Sequence, residues 1–157
     1  MEDDMLQPAW YLTDHDWFAR LADAPRLNRD GQAVLGQVAA LFGDESYFNP
    51  AKTVATVHVL LLAAEHLGDT LTWAADQHDM ADLTRLTAGL NLVQAHLTQI
   101  VQRLAEHTHN RAVRRSDTVP AAAAKALTDS LSAAGNSGEV CAGHLKEAHL
   151  TLYNSPR

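Results

Sequence analysis

The chain has 157 residues, with 12 Lys and Arg against 19 Asp and Glu and a formal net charge of -7. This length is enough for one domain with its own core, and the single cysteine excludes an internal disulfide. The acidic balance disfavours nonspecific binding to nucleic acid or to an anionic membrane, because such binding depends on clustered Lys and Arg.

Two short helices are predicted in the first 48 residues. The first spans about 14–23 and ends before Pro25, because the residue preceding a proline disfavours the helical conformation. The second begins after Asn28, which can cap it, and ends at Gly43. Seven of the nine aromatic residues lie in this segment. We therefore expect residues 1–48 to dock on the following helices through bulky side chains.

Three long helices are predicted over about 50–77, 80–109 and 118–153. In each, apolar residues recur at alternating steps of three and four, the heptad pattern of helices that pack side by side. The predicted contact line of the helix at 50–77 is Val54, Val57, Leu61, Ala64, Gly68, Leu71, Ala75 and His78. That of the helix at 80–109 is Leu83, Leu86, Leu90, Val93, Leu97, Ile100, Leu104 and His107. The short connection between these two helices predicts an antiparallel pair.

The helix at 118–153 is predicted to continue through Gly135-Asn136-Ser137-Gly138, a stretch more typical of a loop. A kink or a break there is the alternative. The predicted line of this helix is Ala124, Leu127, Leu131, Ala134, Gly138, Cys141, Leu145, Ala148 and Leu152. It keeps its phase across the glycines, and it places Cys141 in the core as a small buried residue.

The predicted fold class is therefore all-α. We expect an up-down antiparallel helical bundle with three long helices and two short N-terminal ones, in a single domain over 1–157. Residues 1–48 are the aromatic-rich docking segment, and residues 49–157 form the long-helix bundle.

Four side chains at one end of this bundle are candidates for a metal site. A last helix running back along the helix at 80–109 would bring His149 toward His78, Asp79 and Asp82. Imidazole and carboxylate groups can hold a divalent transition metal when three or four of them converge. The alternative is that the two aspartates stabilise a helix N-terminus, where acidic residues are favoured, and that the histidines lie on the surface.

One basic cluster, Arg111, Arg114 and Arg115, is a candidate for contact with nucleic acid. These arginines lie in a predicted loop over 109–117, where a solvated turn is the simpler interpretation. The net charge makes a nucleic-acid partner the disfavoured alternative.

The seven residues from Arg103 to His109 resemble the Arg-x(4–6)-His element of HEPN-type ribonucleases. The resemblance implies a ribonuclease, which we keep as a remote alternative. Within the same stretch, Glu106 and His109 have the Glu-x-x-His spacing of carboxylate-bridged di-iron bundles. The predicted heptad places both residues on the outer face, away from the core.

No motif of a known chemistry fixes a reaction, since the chain has no Gly-rich phosphate loop, Cys-x-x-Cys or Gly-x-Ser-x-Gly. The leading hypothesis is a non-enzymatic bacterial protein that acts through protein–protein interaction, as a regulator, adaptor or structural subunit.

The acidic start lacks the features of a secretory signal. The longest apolar stretch, 57–64, is interrupted by His58 and is far shorter than the ~20 residues of a membrane span. A cytoplasmic protein without a membrane span is therefore expected.

We also expect a homodimer. Three long helices need a fourth to close a bundle, and two-fold pairing is the commonest way to supply one. The predicted interface consists of apolar residues off the main contact lines: Leu60, Leu67, Leu92 and Val101. In the alternative, the N-terminal segment covers this surface and the protein is a monomer.

Overall fold

The computed structural model describes residue 10 and residues 29–43, 49–114 and 120–155. Regular structure in these ranges is helical, without a strand, which confirms the all-α class. The elements are α1 (Arg29–Phe42), α2 (Pro50–Trp73), a 3-10 turn (Ala75–Gln77), α3 (Met80–Arg114) and α4 (Ala121–Asn154). The helix predicted over 14–23 lies outside the described residues.

The chain divides into two compact units. One is Pro25–Asp79, which contains α1 and α2, and the other combines Met1–Ala24 with Met80–Arg157, which contains α3 and α4. Two predictions concern the relation between these units and stay predictions: the single bundle over 1–157 and the antiparallel packing of the helices at 50–77 and 80–109.

Helix α2 begins at Pro50, as predicted, and ends at Trp73, four residues before the predicted end at position 77. The side-chain Oδ1 of Asn49 accepts a hydrogen bond from the backbone N–H of Lys52 at 3.0 Å, and Pro50 occupies the first turn. Both features are typical of helix starts. The helix ends at Trp73, where the Ala74 N–H still bonds to the Thr70 carbonyl. The next three residues tighten into the 3-10 turn, a common form of helix ending.

The side chains of α2 are unusually open for an apolar helix. None of its residues is buried, and Val54, Val57 and Leu61 of the predicted contact line are 56%, 51% and 55% exposed. Among the described helices, α2 is also the one long and apolar enough to cross a membrane, with a mean hydropathy of 1.2 over 18 residues. Core helices of soluble proteins can be equally apolar, but they are mostly buried, whereas no residue of α2 is buried.

Helix α3 is five residues longer than predicted. Arg111 and Arg114 were predicted in a loop, and this is wrong because both lie in the last turn of α3. No Gly or Pro interrupts the chain between Ala105 and Arg114, and most residues there have a helix propensity compatible with a continuing helix. Arg115 lies outside the described residues.

Helix α4 runs without interruption from Ala121 to Asn154, as the preserved heptad phase predicted. Gly135 and Gly138, the two residues that would normally indicate a loop, are both buried inside it. Their burial shows that this part of α4 contacts another element along its length.

That element is α3, which packs antiparallel to α4 through small and polar residues. The pairing runs from Thr84 beside His149 to Thr98 beside Gly138. We call the buried residues of the two helices the seam: Thr84, Ala88, Asn91, Ala95, Thr98 and Ala105 of α3, with Gly135, Gly138, Ala142 and His149 of α4. The seam residues follow one another at steps of three, four or seven along each helix, so the seam is itself a heptad line.

The seam is not the contact line that apolar periodicity predicted. On α3, the predicted residues Val93, Leu97, Ile100 and Leu104 are 50%, 37%, 53% and 50% exposed. We call these four residues the apolar stripe. The prediction of a buried Cys141 on α4 is also wrong, since this residue is exposed. Close packing at the glycines selects the small side chains of α3 and turns the larger ones outward.

Candidate functional site

A buried amide fixes the register of α3 against α4. Asn91 is completely buried, and its Nδ2 group donates hydrogen bonds to the Ala142 carbonyl at 2.6 Å and to the Trp10 carbonyl at 3.0 Å. One side chain of α3 therefore holds the backbone of α4 and a residue of the N-terminal segment. Because a slip of either helix would leave the buried amide without partners, this arrangement specifies one alignment.

Two glycines let the helices approach closely along the seam. A Cβ added to Gly138 would collide with the side chain of Thr98, and one added to Gly135 would lie 2.9 Å from Cγ of Gln102. Thr98 cannot move away easily, because it is β-branched and its hydroxyl donates to the Gln94 carbonyl at 2.8 Å. The α3–α4 pair is therefore a closely packed unit whose geometry requires glycine, without a side chain, at these two positions.

The apolar stripe lies on the opposite side of α3 from this contact. At 3.6 residues per turn, the stripe and the seam are roughly 160° apart around the helix axis. Val93, Leu97, Ile100 and Leu104 follow one another at steps of four, three and four, so they form a line about 16 Å long. A contiguous exposed apolar line on a helix is typical of a site that contacts protein or lipid.

The interface predicted from the sequence differs from this stripe. Leu60 of that set is 41% exposed, while Leu67, Leu92 and Val101 are half-buried. The prediction of contact through these four residues stays a prediction. The exposed apolar surface of α3 lies instead on the line that the sequence analysis assigned to the core.

Three of the four residues of the predicted metal site have hydrogen-bond partners outside the predicted set. His78 Nδ1 lies 2.7 Å from the Ala74 carbonyl, and Asp82 accepts from Arg85 at 3.0 Å. His149 is 1% exposed, and its Nδ1–H donates to the Thr84 carbonyl at 3.0 Å in the tautomer that this contact requires. Across the described ranges, no group of three or more His, Cys, Asp and Glu side chains is arranged to hold a metal ion.

We predict that His149 stabilises the α3–α4 pair without a metal. His149→Ala should lower the free energy of unfolding by about 2 kcal/mol, because it removes a buried ring and a buried hydrogen bond. Excess chelator should leave the Tm of the unaltered protein unchanged. His144→Ala is the matched control, since His144 is exposed and its ring nitrogen only approaches Glu147 at 3.4 Å. A Tm that falls with chelator in the unaltered protein, and not in His149→Ala, would restore the metal hypothesis.

A groove of about 530 Å³, lined mainly by residues of polar type, opens between α3 and α4 at the other end of the seam. Its lining residues are Gln102, Ala105, Glu106, His109, Asn110, Thr128, Ser132 and Asn136. Glu106 and His109 are both exposed, as the predicted outer face requires, and they border this groove. Arg103 does not line this groove, so the groove contains only one of the two residues that resemble the HEPN element.

No model of a known protein family matches the chain, and no significant match is found among curated proteins or solved structures. Function must therefore be inferred from the residues of this chain alone.

Proposed function

We propose that the protein is a non-enzymatic cytoplasmic helical protein that binds other helices through its exposed apolar faces, as a regulator, adaptor or structural subunit. The observation that carries the proposal is the apolar stripe on α3. A side of a helix that shows Val93, Leu97, Ile100 and Leu104 at 37% to 53% exposure leaves a large apolar surface in water. Covering that surface with another helix is favourable by the hydrophobic effect.

The close packing of α3 and α4 supports this proposal. Asn91 and Gly138 hold the two helices in one alignment, so the stripe is presented on a fixed backbone. Binding to a preorganised surface loses less conformational entropy than binding to a mobile one. The seam uses small residues for the intramolecular contact and leaves the larger apolar residues of α3 for an intermolecular one.

Helix α2 supplies a second exposed apolar line, with Val54, Val57 and Leu61. Its composition would also allow contact with lipid. However, Glu65 and Asp69 lie within the helix, and acidic side chains at the centre of a bilayer are costly, by about 2.5–3.5 kcal/mol for Asp. Contact with protein, where these carboxylates can remain at the rim in water, is the arrangement that we favour for α2.

Affinity purification from the native host tests the proposed function. Leu97→Glu changes the stripe and Leu61→Glu changes the line on α2, while Val140→Glu on α4 is a matched control at a side chain that is 61% exposed. We expect a defined set of proteins to be retained by the unaltered chain and by Val140→Glu, and to be lost in at least one of the other two variants. If the retained proteins are identical for all four chains, and the purified chain does not self-associate, the proposed function is wrong.

A further inference from the structure

The groove between α3 and α4 opens where the close contact of the two helices ends. Beyond Ala105 of α3 and before Gly135 of α4, the described side chains of both helices are exposed or half-buried. Ala105 is 6% exposed and forms the floor of the groove, while Gln102 and Thr128 are half-buried on its two walls. The other lining residues are exposed at the rim: Glu106, His109, Asn110, Ser132 and Asn136. The volume of about 530 Å³ falls within the range of small-molecule sites, roughly 300–1,000 Å³.

Two hydrogen bonds hold the wall side chains and leave each with an acceptor oxygen. Gln102 Nε2 donates to the Glu139 carboxylate at 2.5 Å. Because a carboxylate only accepts, this contact leaves the amide oxygen Oε1 of Gln102 available as an acceptor. Thr128 donates its hydroxyl hydrogen to the Ala124 carbonyl at 3.0 Å, so its Oγ1 can only accept a further hydrogen bond. The half-buried part of the groove therefore favours a ligand with hydrogen-bond donors.

The charge of the lining narrows the class of ligand. Glu106 supplies a carboxylate at the rim, and no Lys or Arg is among the described residues that line the groove. An anionic ligand would meet this carboxylate without a cation to balance it. An apolar ligand would contact Ala105 as the one apolar side chain of the lining, so it would bury little apolar surface. A ligand with a positive charge and N–H donors matches both the carboxylate and the acceptor oxygens.

We propose that this groove binds an alkylammonium group, with Glu106 as its counter-ion and with Gln102 Oε1 and Thr128 Oγ1 as acceptors. An ammonium has three N–H donors and no acceptor, and these three side chains can each accept one hydrogen bond. The group can belong to a free diamine or to a lysine side chain of another protein. An ion pair at an exposed rim is weak, so we expect a dissociation constant on the order of a millimolar.

This site goes beyond the proposed function and does not depend on it. The groove continues the line of the seam, whereas the apolar stripe lies on the opposite side of α3. A ligand in the groove would therefore leave the stripe uncovered.

Nuclear magnetic resonance titration of the full, isotopically labelled chain tests the site. The probe is 1,4-diaminobutane, and butane-1,4-diol is the control of the same length without the charge. We expect the diamine to cause saturable shifts of backbone amides within 102–110 and 128–136, and the diol to cause none. Nα-acetyl-lysine amide carries the same ammonium group on a lysine side chain. The tighter binder of the two amines identifies the source of the group.

A charge variant tests the role of the carboxylate. Glu106→Gln removes the charge and keeps the size of the side chain, and it should raise the dissociation constant of the diamine at least threefold. Glu147→Gln is the matched control, because this side chain of α4 is 78% exposed and lies about 16 Å along the helix from Asn136. The control should bind like the unaltered chain, and both variants should keep its circular dichroism.

A second pair of variants tests the groove itself. Ser132→Leu fills part of the groove with an apolar side chain and should abolish saturable binding. Ala133→Leu adds a side chain of the same kind at the next exposed position of α4, which does not line the groove, and should leave binding unchanged.

Four results would overturn the proposal. The first is the absence of saturable shifts with both amines, and the second is equal binding of the diol. The third is a diamine affinity that falls no more in Glu106→Gln than in Glu147→Gln. The fourth is saturable binding that survives Ser132→Leu, which would place the amine elsewhere on this acidic protein.

Discussion

Gly138→Leu is expected to lower the free energy of unfolding by about 3 kcal/mol or more, the upper range for overpacking in a close contact. A side chain at this position would occupy the space of the Thr98 side chain, which is 2% exposed. The Thr98 hydroxyl is also held by its bond to the Gln94 carbonyl. The two helices would have to separate, and the hydrogen bonds of Asn91 along the seam would lengthen with them. Chemical denaturation followed by circular dichroism measures the loss.

An alanine series separates this steric effect from helix propensity. A Cβ on Gly89 would meet no atom within 4 Å, so Gly89→Ala should gain up to about 1 kcal/mol from propensity alone. Gly138→Ala should lower the free energy of unfolding by about 1–2 kcal/mol, although it gains the same helix propensity. The stability of Gly135→Ala should lie between those of the other two variants, because the flexible side chain of Gln102 can shift. Adding Thr98→Ala to Gly138→Ala should recover part of the loss. Equal stability of the Gly89 and Gly138 variants would show that the helices do not approach closely at Gly138.

The starts of α2 and α3 were predictable because their signals are local. Asn49 and Pro50 define the start of α2 through one side-chain hydrogen bond and one missing N–H, and neither depends on the rest of the fold. The continuity of α4 through Gly135 and Gly138 was also predictable, since a loop has no reason to preserve a heptad phase. The end of α3 was not, because no Gly or Pro marks it between Ala105 and Arg114.

The contact with α4 buries a different line of α3 from the one that apolar periodicity favours. Helix α3 carries two heptad lines, one of leucine, valine and isoleucine and one of alanine, threonine and asparagine. Hydrophobicity alone selects the first, whereas contact with α4 buries the second. The signal that could have corrected the prediction lies in α4, where Gly135 and Gly138 are three residues apart. Glycines on one face of a helix indicate a close approach, and a close approach requires small side chains on the partner.

The phase of the seam also determines the surroundings of the candidate site residues. His149 was placed near the start of α3 correctly, but the seam turns its ring into the interior, where the Thr84 carbonyl accepts its Nδ1–H. Glu106 and His109 were placed on the outer face and are exposed there, where they also border the groove between α3 and α4. A sequence pattern gives the spacing of residues on a helix, but which face is buried depends on the partner helix.

Asn91→Asp is expected to lower the free energy of unfolding by about 3 kcal/mol or more, as is typical when a buried charge is left unpaired. In the unaltered chain, the Asn91 amide donates to the carbonyls of Ala142 and Trp10. A carboxylate has the same shape but no hydrogen to donate, so the oxygen that replaces Nδ2 would face two carbonyl oxygens in a completely buried position. Burial also favours the protonated acid, which could restore one of the two bonds.

The loss in Asn91→Asp should therefore depend on pH. When folding raises the pKa of an acid, the folded state is destabilised as the pH rises and the acid ionises. The free energy of unfolding of the variant should therefore be closer to that of the unaltered chain at about pH 4 than at about pH 7. Asn91→Ala, which lacks a titrating group, should lose about 2 kcal/mol at both pH values. Gln99→Glu makes the same change from amide to acid at a half-buried position of α3 and should have little effect. A loss in Asn91→Asp that is no greater than in Gln99→Glu would mean that position 91 is open to water and that the amide does not fix the register of the two helices.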